Sequence, residues 1–299
     1  MSSIISGIVK IRYLWYQYSG NFWTRNGIAD EMLFRYYDND NDNKEIIIIF
    51  HGFSSKKEAC LPLASGLSNQ YRIIIPDLMG HGNTINLKKN HKECNYDIKT
   101  QLKYLQKFII NILGTGKKIH IIGYSMGALL AGCFAAEYPN MIKSVNLLCP
   151  AGISMPSYSP VYQHYIKTGD NLLSTRTIEE AKELLYLLQC KYKFFPDCAF
   201  EYYSNEYNKK GDIYDKIFNE IIISNYPILE KKLKHIQSDV LVIHGNDDKI
   251  IDKSCITNII ENLNVKYNTY IIENAGHVIH NTHFQECAEL IDIHIQNNS

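Results

Sequence analysis

The chain has 299 residues, 31 of them Lys or Arg and 31 Asp or Glu, so its formal charge is zero. That balance removes the basic excess a nucleic-acid surface requires and the high net charge that drives disorder. With 45% apolar residues the chain can build a large core, as one α/β domain or two smaller ones.

Residues 1–28 form an amphipathic, aromatic segment. Ile4, Ile8, Ile11, Trp15 and Tyr18 fall on one helical face. Lys10, Arg12 and Gln17 interrupt it, so it does not read as a membrane span. Tyr13, Trp15, Tyr16, Phe22 and Trp23 are residues that favour a membrane interface. Two readings stand side by side: a helix docked on a membrane surface, or one packed on its own domain.

Next comes the polar bridge DNDNDN at 38–43, which reads as a hairpin turn between arms at 32–37 and 45–50. Apolar runs at 46–50, 72–75, 119–122, 145–148, 240–243 and 270–272 read as strands buried on both faces. Between them, 97–113 places Leu102, Leu105, Ile109, Ile112 and Leu113 on one helical face. Residues 125–138 form a small-residue helix that Pro139 closes. This alternation predicts a mostly parallel central sheet with helices on both faces, over 29–149 and again over 235–299.

Residues 150–234 break the pattern. Helical spacing of Ile178, Ala181, Leu184, Leu185 and Leu188 within 177–190, and an amphipathic stretch at 213–223, predict a helical cap between two strands of one sheet. The eight cysteines form no C-x-x-C pair and read as reduced thiols in a cytosol-facing protein. The longest aliphatic run, 46–50, falls far short of the ~18 residues of a membrane span. The expected location is therefore the cytosol or, peripherally, the cytosolic face of a membrane.

Four motifs carry chemistry. Gly123-Tyr124-Ser125-Met126-Gly127 follows a predicted strand and opens a helix, the context in which G-x-S-x-G exposes a nucleophilic serine on a tight turn. His51-Gly52-Phe53 ends the first buried strand. The backbone N–H groups of Phe53 and Met126 are thereby the expected donors of an oxyanion hole. In His244-Gly245-Asn246-Asp247-Asp248 both aspartates compete for the role of an acid. Asn274-Ala275-Gly276-His277 follows the last strand and supplies a base. The order Ser, Asp, His distinguishes this arrangement from the chymotrypsin and subtilisin orders. His277, His280 and His283 also fall at helical spacing, but without further ligands at recognisable spacing they do not make a metal site. Neither a metal nor a cofactor is expected.

With these four motifs, and with Asp77-Leu78-Met79-Gly80-His81-Gly82-Asn83-Thr84, the chain resembles the α/β-hydrolase superfamily of serine hydrolases from about residue 30 to 295. In that family the acid stands three residues after a glycine, which implies Asp248 rather than Asp247. The implied catalytic set is Ser125, Asp248 and His277. The chain looks most similar to the membrane-associated α/β-hydrolase-domain monoacylglycerol lipases, through Cys149-Pro150-Ala151-Gly152-Ile153, the acidic pair Glu179-Glu180, 245–252 and 273–277. That resemblance implies hydrolysis of a lipid ester such as a monoacylglycerol or lysophospholipid. The Glu-x-Pro often found after the family's histidine is replaced here by Thr282-His283-Phe284. The alternatives are a short-chain carboxylesterase, a carbon–carbon bond hydrolase, or a non-catalytic binding protein on the same fold. Oligomeric state, acyl length and head group are not written in these residues.

Overall fold

A computed structural model describes residues 2–42, 44–67, 69–188, 197–224 and 226–299, with side chains from residue 11 onward. Ile4, Ile8 and Lys10, as side chains, and Cys190 therefore lie outside the described residues. In chain order the elements are α1 (Ser2–Ser19), β1 (Trp23–Ala29), β2 (Met32–Asp38), β3 (Glu45–Phe50), α2 (Leu61–Gly66), β4 (Tyr71–Pro76), β5 (Ile85–Asn86), α3 (Ile98–Leu113), β6 (Ile119–Tyr124), α4 (Met126–Glu137) and β7 (Ile142–Leu148). Then follow α5 (Pro160–Thr168), α6 (Ile178–Leu188), α7 (Asp197–Asn208), α8 (Gly211–Ile217), a π-helical turn (Phe218–Ile223) and α9 (Ile228–Leu233). The chain ends with β8 (Asp239–Gly245), α10 (Cys255–Asn262), β9 (Tyr267–Ile272), α11 (Ile279–Thr282) and α12 (Phe284–Gln296).

The strands form one sheet in the order β1-β2-β4-β3-β6-β7-β8-β9, with β5 beside β2. From β4 to β9 every pairing is parallel, and β1 and β2 add an antiparallel edge. The predicted parallel strands alternate their side chains between two apolar layers. Ile48, Phe50, Ile121, Val145 and Val242 join one buried cluster, while Ile47, Ile49, Ile122, Leu148 and Ile243 join another. Burial on both faces explains why these runs are continuously apolar rather than alternating. Helix α4 is buried from Met126 to Ala135, which accounts for its small, uncharged residues. Helix α3 is amphipathic as predicted, and the Asp97 side chain caps it by accepting from Thr100 N at 2.7 Å.

Two expectations need correction. The bridge at 38–43 does not close a hairpin. Strand β2 pairs with β1 and β4, and β4 lies between β2 and β3. The bridge is instead a crossover tied to β4: Asp38 accepts from Arg72, while Asn39 accepts from Ile73 N and donates to the Tyr71 carbonyl. The true hairpin joins β1 to β2 at Asp30, whose φ of 51° suits a tight turn. The run at 270–272 belongs to an edge strand, so Tyr270 and Ile271 are exposed rather than buried.

Helix α1 lies on α2 and α7, with Tyr13 and Tyr16 against the core and the Tyr16 ring edge-on to Phe284. Arg12 donates to Asn281 Oδ1 at 2.8 Å. The stripe identified in the sequence faces the other way: Ile11, Trp15 and Tyr18 are 66%, 64% and 71% exposed. No helix among the described residues is long and apolar enough to cross a membrane.

A buried ion pair ties the loop after β3 to the end of β4. Lys57 Nζ lies 2.9 Å from Asp77 Oδ2, and Asp77 also accepts from the backbone N–H groups of Lys57 and Asn83. Burial alone would raise the Asp77 carboxyl, but the charge of Lys57 and these hydrogen bonds hold it below the usual carboxylate range. Asp77→Asn should cost up to about 3–5 kcal/mol in urea unfolding at neutral pH, because it leaves the buried Lys57 with only the Glu58 carboxylate, 3.1 Å away, as an ionic partner. The depressed carboxyl stabilises the fold fully above its unfolded pKa of about 3.9. The gap between wild type and variant should therefore close as pH falls below about 4.

Candidate active site

The loops after β3, β6, β8 and β9 leave the same edge of the parallel run, so residues from distant parts of the chain meet there. Ser125 occupies the turn from β6 into α4 at φ 55° and ψ −118°. A non-glycine residue in this region is strained by on the order of 1–3 kcal/mol. The turn is pressed against its surroundings. A Cβ on Gly123 would stand 2.3 Å from the Gly127 carbonyl oxygen, and one on Gly127 would stand 2.2 Å from the Phe50 carbonyl oxygen. Both glycines of the motif are thus sterically required. Ser125 N donates to Leu148 O at 2.9 Å, and Ser125 O accepts from Ala151 N at 3.2 Å, so the strained turn is held from both sides.

His277 Nε2 lies 3.0 Å from Ser125 Oγ, and His277 Nδ1 lies 2.7 Å from Asp248 Oδ2. The other Asp248 oxygen accepts from Ile250 N at 2.8 Å and Ile251 N at 3.0 Å. Burial alone would raise the Asp248 carboxyl. The interaction with His277 and the backbone N–H of Ile251 outweigh it and keep the group ionised below the usual carboxylate range. An ionised Asp248 can only accept, so Nδ1 carries the proton and Nε2 is free to receive one from Ser125. The two aspartates differ in position: Asp247 is exposed, while Asp248 is buried against the imidazole. All three members are buried.

The Phe53 loop adjoins this group. A Cβ on Gly52 would stand 3.4 Å from Ser125 Cβ. Met126 is the first residue of α4. Phe53 and Met126 therefore flank Ser125 from two different loops. The Phe53 ring packs on α8 and the π-helical turn, 5.9 Å from Tyr214 and 5.8 Å from Phe218.

Several neighbours had no signal in the sequence. The peptide N–H of His277 donates at 2.9 Å to the carbonyl of Leu188, the last residue of α6. The His244 ring is fully buried, with Nε2 3.9 Å from Asp248 Oδ2. Cys149 offers its sulfur beside Asp248 and His277, and burial pushes the thiol well above its usual range, so it stays protonated. The three histidines at helical spacing do not converge. The His280 ring stacks on Tyr124 at 3.7 Å, with burial pushing its pKa down to about 3, and His283 bonds Thr282.

The α/β hydrolase fold family model matches residues 45–284, most of the chain and all of this constellation. The chain belongs to the α/β hydrolase fold family. Among its relatives, monoacylglycerol lipase ABHD6 of Mus musculus is 26% identical over 300 residues, covering 96% of this chain and 86% of that protein. Lipase 1 of Psychrobacter immobilis is 26% identical over 250 residues, covering 84% of this chain and 76% of its own length. The crystal structure of a membrane phospholipase A superposes with a TM-score of 0.88 at 22% identity, over 98% of this chain and 92% of that one. In this α/β hydrolase the acid can be tested by substitution. Asp248→Asn should lower kcat on an ester by on the order of 10⁴, as for a triad acid that fixes its tautomer. Asp247→Asn should stay within a few-fold in the same assay.

Proposed function

We propose that this α/β hydrolase cleaves carboxylic esters of single-chain lipids, of the monoacylglycerol or lysophospholipid type, through an acyl-enzyme on Ser125. The observation that carries the reading is the continuous hydrogen-bond chain Ser125–His277–Asp248. Neutral His277 accepts the Ser125 proton at Nε2 as Oγ attacks the acyl carbonyl. The oxyanion is received by the N–H groups of Phe53 and Met126. His277 then protonates the leaving alcohol, and later activates water to release the fatty acid. Asp248 stays ionised throughout and stabilises the imidazolium. No step calls for a metal or cofactor. The names of the lipase relatives support the substrate class.

The helices between β7 and β8 are assigned to a cap, over residues 150–234, that builds the acyl pocket. The aromatic packing of Phe53 against Tyr214 and Phe218, and of Phe218 against Tyr165 at 5.6 Å, supports an apolar wall beside the nucleophile. Membrane docking is assigned to the outer face of α1. Its inner face is already used by the domain, yet Ile11, Leu14, Trp15 and Tyr18 remain outside, a pattern that suits the lipid interface.

A fluorophosphonate probe should label wild type and not Ser125→Ala, and ester turnover should vanish with the label. Along a series of p-nitrophenyl esters kcat/KM should rise with chain length, at up to about 0.8 kcal/mol per buried methylene. A maximum at acetate would favour a short-chain esterase instead. The double variant Ile11→Glu, Trp15→Glu should lose vesicle binding in a sedimentation assay, while its turnover of a soluble ester stays within a few-fold. Unchanged sedimentation would remove α1 from the interface.

A further inference from the structure

The stretch Asp77 to Thr84 is one motif to which the catalytic reading assigns no part, and it contains a fully buried histidine beside the site. His81 Nδ1 lies 3.1 Å from the Met79 carbonyl oxygen, so the proton sits on Nδ1 and Nε2 carries a lone pair. That lone pair accepts from Ser54 N at 3.2 Å. Ser54 directly follows Phe53 and stands at φ 50°, in the left-handed region. His51 mirrors this arrangement: its Nδ1 lies 2.8 Å from the Gly52 carbonyl oxygen, and its Nε2 accepts from Leu78 N at 3.0 Å.

A peptide unit is planar and trans, so its C=O and N–H point in opposite directions. The Gly52–Phe53 unit contains the Gly52 carbonyl and the Phe53 N–H. The Phe53–Ser54 unit contains the Ser54 N–H. Each of the two peptide planes meeting at Phe53 is therefore held by one imidazole, the first by His51 and the second by His81. A partly buried backbone N–H and a residue at positive φ both need a reason to persist, and the His81 lone pair supplies one.

We propose that His81 is a positioning residue for ester hydrolysis: by accepting from Ser54 N it fixes the peptide plane after Phe53 and, with His51 holding the plane before it, locks the Phe53 backbone so that its N–H stays aimed at the oxyanion. This rests on the assignment of Phe53 to the oxyanion hole. The groups facing His81 are His51 from the loop after β3, Asp77 directly after β4, the Phe53 ring, and Lys210 and Tyr214 from the cap. Burial and the neighbouring His51 push the His81 pKa well below the usual imidazole range, so Nε2 keeps its lone pair at neutral pH.

Two substitutions separate the acceptor from the ring. His81→Phe retains an aromatic ring against Phe53 and Tyr214 but has no acceptor. His81→Gln loses the ring and offers a side-chain oxygen close to the position of Nε2. With a soluble p-nitrophenyl ester, His81→Phe should lower kcat by roughly 10²-fold or more, the scale of losing one oxyanion donor, with KM within about threefold. His81→Gln should retain kcat within about tenfold. A merely structural histidine would instead be served better by Phe than by Gln. The inference is overturned if His81→Phe keeps wild-type kcat, or if a folded His81→Gln falls as far as His81→Phe. Should His81→Phe fail to fold, His81→Gln decides: retained kcat supports the role, and a folded variant with kcat reduced 10²-fold overturns it. Wild-type turnover and Ser125 labelling are measured in parallel. Their absence would reject the hydrolase reading itself, whereas normal wild-type turnover with an indifferent His81→Phe rejects only this inference.

Discussion

At the centre of the molecule a strand and a helix meet with no space for two side chains. The turn at Ser125 is closed so tightly that the Gly127 backbone rests on the last carbonyl of β3 and the Gly123 backbone rests on Gly127. This contact puts the Ser125 turn and the Phe53 loop in a fixed relation, because β3 delivers both Phe50 and, three residues on, Phe53. The strain of the Ser125 backbone is tolerated because the turn is tied to Leu148 and Ala151 from the neighbouring strand and loop. The acid and base then have only to arrive from the next strand ends along the same edge, and the parallel order of β7, β8 and β9 ensures that they do.

Around that centre the polar groups are neutralised in pairs or held in one tautomer. Asp248 and Asp77 are both buried carboxylates, and both remain ionised for the same reason: a cationic or proton-donating partner together with backbone N–H groups. The histidines divide differently. Burial drives His280 neutral, whereas the His277 ring is set apart by its two partners, Asp248 at 2.7 Å and Ser125 at 3.0 Å. Environment rather than residue type separates His277 from its neighbours.

The parallel strands, α3, α4, helices between β7 and β8, and Ser125, Asp248 and His277 as residues that meet at one sheet edge were legible in the sequence because each sits in a local pattern. Continuous apolar runs mark strands buried twice, and glycines two residues before and after a serine mark a turn that excludes side chains. Pairing was less legible. DNDNDN has every local property of a hairpin turn, yet Asp38 and Asn39 bind Arg72, Tyr71 and Ile73 of a strand that comes later in the chain. Nothing near residue 40 announces that partner. Edge position was equally hidden, since Tyr270 and Ile271 are as apolar as central residues. The Lys57–Asp77 pair, the His81 acceptor and the Leu188 contact also join residues separated by 20 or more positions. Helix α1 shows both limits: the periodic stripe was correct, but only the packed structure reveals that Tyr13 and Tyr16 form the inner face.

The hydrogen bond from the His277 peptide N–H to the Leu188 carbonyl joins the loop after β9 to the end of α6. An imidazole whose backbone leans on α6 is only as well ordered as α6 itself. Displacing that helix by even a couple of ångströms would strip the His277 peptide N–H of its acceptor. The aim of the ring at Ser125 would then rest on Asp248 alone, so a helix far along the chain shares in setting the precision of that contact.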